Sequence, residues 1–244
     1  MATKYTVEPV TRIEGHAKIT CLVDDSGQVE RARFHVVEFR GFEKFCEGRH
    51  FSEMPTLTER ICGICPVSHH LASAKAIDIL AGVTPTRTGA LLRELMHMGQ
   101  VTQSHALSFF HLSSPDLLLG PDSDPALRNV VGVVQQFPEV GLKAIKLRKW
   151  GQEVIAAIGG RKIHPNVAVP GGMAAGLDRA RGAELLEQLS EQLDTVQIGI
   201  GLLLDWCTSH RDVVEKFAVF PSYYGGLVGP NGELELYDGN FRLT

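Results

Sequence analysis

Apolar and polar positions alternate over "AKITCLV", Ala17 to Val23, and again over "QVERARFHVVEF", Gln28 to Phe39, with "DDSG" between them. A period of two on either side of turn-forming residues predicts a β-hairpin. The period then lengthens. Phe42, Phe45 and Cys46 recur at helical spacing before Gly48 and Pro55 interrupt, which predicts a short helix and a loop. Leu71, Ala74, Ala76, Ile77, Ile79 and Leu80 predict a buried helix stopped by "AGVTPT". Leu91, Leu92, Leu95, Met98 and Val101 predict a longer helix stopped by "SSPD". From Leu127 to Gly160 the pattern is helical again, with breaks at Pro138 and Gly141 and a closing glycine pair suited to a cap. Asp178 to Cys207 carries the longest amphipathic run, charged at its start and apolar over "VQIGIGLLLDW", which predicts another core helix. Asn231-Gly232 and Asp238-Gly239 then signal hairpin turns. No returning strand is evident after them, as in a chain cut within a domain. These elements make a mainly α (α+β) chain, with long helices around a core and small β-hairpins. Without repeat or linker, residues 1–244 are expected to form one domain.

Composition narrows the partners more than the fold. The 244 residues are 44% hydrophobic and 21% charged, ordinary values for a globular protein. A net charge of -4, from 28 acidic against 24 basic side chains with neither sign in a block, offers no footprint for nucleic acid. The apolar run Val196 to Trp206 is too short to cross a bilayer and is broken by Gly199 and Gly201. "MATKYTVEPV" lacks the basic region and apolar core of a secretory signal. A soluble cytoplasmic protein without membrane insertion is expected.

The five cysteines, at 21, 46, 62, 65 and 207, are odd in number, which argues against a disulfide framework. Cys21, Cys46 and Cys207 stand singly, where a thiol behaves as a small hydrophobe. Cys62 and Cys65 differ. In "TERICGICPVSHHLASAKAID" they are three residues apart, so on a helical turn both sulfurs face one side. Pro66 suits the first helical position and places Cys65 at the cap, where the helix dipole favours a thiolate. A zinc knuckle needs a second Cys or His pair, and His69 and His70 follow too closely. A thioredoxin-like pair needs a preceding βαβ pattern, and an iron-sulfur cluster needs two further cysteines. The pair by itself leaves these chemistries open. His97, His105 and His111, spaced by eight and six residues, do not stack on one helix face and are expected to pack or face solvent.

The surrounding blocks narrow the choice. "PVTRIEGHAKI", "FRGFEKFCEGR", "ERICGICPVSHHLASAKAID" and "GGRKIHPNVAVPGG" occur in that order, and together they resemble the large subunit of nickel-iron hydrogenases. The wording looks most like the cytoplasmic, bidirectional NAD-linked branch, with the methanogen-type branch close behind. The resemblance implies that Cys62 is a terminal nickel ligand and that Cys65 bridges nickel to an iron carrying diatomic ligands. Thiolate softness suits both metals. It implies that His69 hydrogen-bonds beside the bridging sulfur, against the plain alternative of an ordinary first-turn side chain. Glu14, in "RIEGH", matches the proton-transfer glutamate, whose bland alternative is a pair with Arg12. Glu43, in "RGFE", matches a ligand for magnesium or a similar hard ion, or else is a surface helix charge. His164 and its neighbouring glycines are expected near the pocket without an assigned step.

The same resemblance exposes a deficit. The family site takes four thiolates, the second Cys-x-x-Cys lying in a block that begins Asp-Pro-Cys, and no such block occurs here. The implied activity is reversible, heterolytic H2 oxidation. Its electrons would pass to the iron-sulfur clusters of a small subunit, then through flavin-bearing diaphorase partners to NAD. The chain alone is expected to be inactive. The rival expectation is a truncated or split scaffold that binds the small subunit without nickel. A third, the related respiratory Complex I core subunit, is disfavoured by retention of both Cys62 and Cys65.

Overall fold

The computed structural model describes residues 2–244, which divide into two compact units, 2–48 and 49–244. In the first unit, β1 (Thr3–Val7), β2 (Ala17–Val23) and β3 (Val29–Val36) form an antiparallel sheet in that order. The predicted hairpin is the β2–β3 pair, with Ala17 opposite Val36 and a bulge at Leu22/Val23. Its turn is held by Asp24, whose Oδ1 accepts from the Ser26 and Gln28 N–H groups at 2.9 Å each, while Gly27 takes φ +83°. Strand β1, not among the predicted elements, is added by pairing with β2, Thr3 opposite Val23. The short helix α1 (Phe42–Cys46) follows, as the spacing predicts.

The second unit is helical. After α2 (Met54–Thr58), α3 (Pro66–Ala81) opens with proline as its first residue. It closes on Gly82 at φ +65°, whose N–H reaches Asp78 O and Ile79 O. Helix α4 (Arg87–Leu107) is capped by Thr86, whose Oγ1 accepts from Gly89 N at 3.1 Å. It runs through a π-turn, Ser108–Ser113, into α5 (Ser114–Leu119). Then come α6 (Val130–Gln136) and α7 (Pro138–Gly159), the latter ending at Gly160 in the left-handed region. The break at Pro138 is therefore real. Gly141 is no break; it lies buried inside α7.

A tight hairpin, β4 (Ala168–Val169) with β5 (Gly172–Met173), precedes α8 (Arg179–Glu187), α9 (Leu189–Ser209) and α10 (Arg211–Val214). Strands β6 (Gly225–Val228) and β7 (Asn240–Leu243) then pair antiparallel. Strand β7 corrects the expectation of no returning strand. Its pairing partner lies on the far side of the whole 229–239 loop, too distant for a turn signal to report.

The core joins Val67, Leu71 and Ala74 of α3, Met96 of α4, Val154, Ile155 and Ile158 of α7, and Leu185 of α8. Parts of two expected core faces lie outside it. On α3, Ile79 and Leu80 are 82% and 73% exposed. On α9 the buried positions are Gln192, Thr195 and Gly199, whereas Leu193, Ile200 and Leu204 are exposed. The apolar run of α9 is thus a surface of this unit, and small or polar residues make its packing seam. Helix α4 repeats the inversion: Arg93, Met96, Gly99, Gln100 and Gln103 are buried, while Leu91 and Leu95 are exposed.

Candidate metal centre

Cys62 ends a short 3-10 turn (Glu59–Ile61), and Cys65 stands immediately before Pro66 as the N-cap residue of α3. The loop between them folds back on itself. The N–H groups of Ile64 and Cys65 point at Cys62 Sγ, at 3.3 and 3.2 Å, and the two sulfurs are 3.0 Å apart. His69, one helical turn beyond Cys65, turns its ring to the same side. One ligand atom from each of Cys62, Cys65 and His69 lies within 4.8 Å of the others. Among the described residues this is the only such group of three His, Cys, Asp or Glu side chains. All three are partly buried.

His70, next in the chain, faces the opposite way into the core and is fully buried. Its Nδ1 lies 3.0 Å from Pro55 O and its Nε2 accepts from the N–H groups of Val167 and Ala168, at 3.2 and 2.9 Å. That arrangement specifies a neutral ring protonated at Nδ1. Burial pushes its pKa down; the bond to Pro55 opposes this and the Arg93 charge adds to it. Glu59 is also fully buried, with neither oxygen hydrogen-bonded, and Oε2 is 3.9 Å from His70 Nδ1. Burial pushes its carboxyl up, with Arg60 and Arg161 pulling the other way. Both shifts favour the uncharged form of the group concerned.

The thiol loop is also held from below. Gln100 and Gln103 of α4, both buried, donate their Nε2–H groups to the carbonyl of Ile64 at 2.9 and 2.7 Å. Around α3, Arg93 reaches Asp78 Oδ2 at 2.5 Å and the carbonyls of Val169 and Gly172 at 2.9 and 3.0 Å. Asp78 Oδ1 accepts from Gly171 N at 2.8 Å, so the β4–β5 hairpin is pinned against α3 and α4. His164 sits at φ +54° with its Nε2 buried and unpartnered.

Of the expected site residues, Cys62, Cys65 and His69 come together in the second unit. Glu14 and Glu43 belong to the first. Glu14 is exposed in the loop between β1 and β2, near Arg12 and Gly15, both at positive φ, and Glu43 is exposed in the first turn of α1. His97 and His105 bond to the carbonyls of Leu236 and Val101 at 3.0 and 2.9 Å, as side chains that pack. Gln100, Gln103 and Glu59 went unmarked in the sequence, and His70 entered only as half of a discounted zinc pair. The only available signal was polar residues in α4 at positions three apart where an apolar stripe would fall.

Comparison with known proteins bears on this geometry. A family model described as HoxL-like matches residues 4–39, and that of nickel-dependent hydrogenase matches residues 40–118. A component of the vhu F420-non-reducing hydrogenase of Methanocaldococcus jannaschii is 42% identical over 98% of this chain and 57% of its own length. The beta subunit of the NAD-reducing hydrogenase HoxS of Cupriavidus necator is 42% identical over 100% of this chain and 52% of its own. A crystal structure of an NAD+-reducing [NiFe]-hydrogenase in the H2-reduced state superposes with TM-score 0.95 at 46% identity, covering 100% of this chain and 54% of that one. The chain therefore spans about half the length of these relatives. No helix among the described residues is long and apolar enough to cross a membrane.

Proposed function

Because this chain belongs to the nickel-dependent hydrogenase family, corresponding to the amino-terminal portion of the large subunit, we propose that it holds half of a nickel–iron centre for reversible H2 oxidation. The observation that supports this most is the convergence of Cys62, Cys65 and His69 at one helix start. Two soft thiolates beside an imidazole suit nickel and low-spin iron. Once bound, the metal pair would supply the Lewis acidity that polarises H2 and the route by which electrons leave.

This chain's own residues have distinct tasks. Cys62 and Cys65 would hold the metals through their thiolates, the first as a terminal ligand and the second as a shared one, and His69 would orient the Cys65 sulfur by hydrogen bonding. Glu14 accepts the proton and passes it on, which a carboxyl does when its affinity lies between those of donor and acceptor. Glu43 offers a hard oxygen to magnesium or a similar ion. The electrons go to the iron-sulfur clusters of a small subunit. By likeness to the NAD-reducing relatives, they continue through flavin-bearing partners to NAD in the cytoplasm. The second thiolate pair comes from another stretch of polypeptide.

Elemental analysis, infrared spectroscopy and H2-dependent dye reduction test this together. Residues 1–244 alone should show neither stoichiometric nickel and iron nor activity. In complex with a polypeptide bearing a second Cys-x-x-Cys, metal, diatomic iron bands and activity should appear, and Cys62→Ser should abolish all three. A metal-free complex that still captures an iron-sulfur partner would overturn the proposal in favour of the scaffold.

A further inference from the structure

The amide between Ile64 and Cys65 is engaged at both ends. Its oxygen, the Ile64 carbonyl, accepts from Gln100 and Gln103 at 2.9 and 2.7 Å, and its nitrogen, Cys65 N, donates to Cys62 Sγ at 3.2 Å. The Ile64 N–H reaches the same sulfur from one peptide earlier. We infer that Gln100 and Gln103 are positioning residues for the thiol pair, acting on Cys62 through this single peptide group. Donors at an amide oxygen polarise the group and strengthen its N–H as a donor, so two glutamines on one carbonyl sharpen the hold on the sulfur.

The backbone brings both amides to the loop. At the crossing of α4 and α7 a Cβ on Gly151 would meet Gly99 O at 2.8 Å and Gln103 N at 2.9 Å. The two helices touch through bare backbone there, and Gln100 and Gln103 project from that contact toward Ile64. Each amide must present its NH2 end, because an oxygen turned toward the Ile64 carbonyl would face another acceptor. Gln100 Oε1 is left buried without a partner. A buried glutamine that leaves one end unsatisfied shows where its hydrogen bonding is directed.

The consequence for the metal centre rests on the proposed function, but the geometry can be tested without metal. Phenylarsine oxide reports two sulfurs held close together: both S–H bonds break, two S–As bonds form, and the oxide oxygen leaves as water with arsenic still trivalent. The full chain should bind one equivalent, and Cys62→Ser should set the baseline. Replacing both amides, Gln100→Leu with Gln103→Leu, should weaken binding about tenfold, as loss of roughly one hydrogen bond's worth of order predicts. In the 15N-labelled chain the Cys65 amide proton should move upfield, while Gln192→Leu, an equally buried change on α9, should alter neither readout. Each single replacement should give a smaller change of the same sign, which keeps the test open where the double variant does not fold. Unchanged affinity and an unchanged Cys65 resonance in folded variants would overturn the inference and leave the nickel proposal standing. Intact glutamine effects in a complex that never takes up nickel would overturn only the latter.

Discussion

His69 and His70 are the same side chain at adjacent positions, and the backbone of α3 turns one to the thiols and the other beneath them. What separates their roles is the partner each meets. His70 is fixed neutral by two backbone N–H groups on Nε2, and it lies beside the equally buried Glu59. The folded pKa of Glu59 is raised above its ordinary 4.5, so its contribution is fully present below that value and is lost as pH rises through the folded pKa. His70 is depressed below 6.5, so its contribution is present above that and is lost as pH falls. Glu59→Gln should therefore gain stability relative to the parent as pH is raised from about 5 to about 8, by on the order of 1 kcal/mol. Urea denaturation at the two pH values measures it; an equal difference at both would contradict the raised carboxyl pKa. At this scale the thiols were legible because Cys-x-x-Cys before proline has a local geometry. Glu59 and His70 were not, because their partners, among them Val167, Ala168 and Arg161, lie about a hundred residues away along the chain.

Helix α4 was predicted from its leucines, yet Leu91 and Leu95 are exposed and the buried face carries Arg93, Gly99, Gln100 and Gln103. Periodicity identified the helix, and residues other than those leucines make its most buried face. The seam is chosen by the close crossing with α7, which needs small residues at Gly99 and Gly151 and tolerates polar ones where they find partners. Helix α9 shows the same rule, since Gln192, Thr195 and Gly199 make its seam while its apolar run lies outside. Gly151→Ala should cost about 1–3 kcal/mol despite the better helix propensity of alanine, because the new Cβ would press on Gly99 O and Gln103 N. Equilibrium unfolding checks this. Gly201→Ala, where no atom lies within reach of a new Cβ, serves as the comparison and should lose nothing.

At the scale of the molecule, the second unit is tied together by Arg93, which joins α4 to Asp78 of α3 and to both strands of the β4–β5 hairpin. The pair is almost wholly buried, so removing one partner strands the other's charge. Asp78→Ala should cost about 3–5 kcal/mol in urea unfolding, and exchanging both partners for apolar residues of similar size should cost less than that single change. A loss no larger than that of a surface substitution would show that the tie does not hold the unit together. The long helices, the β2–β3 hairpin, the family and the two thiols followed from the sequence by itself, since periodicity, turn chemistry and motif order depend on near neighbours. Which face of each helix packs, that His69 joins the sulfurs while His70 leaves them, and that two glutamines hold the thiol loop were decided only by the tertiary structure. Each of those depends on residues tens of positions apart being brought within a few ångströms, and a local pattern carries no record of what it will meet there.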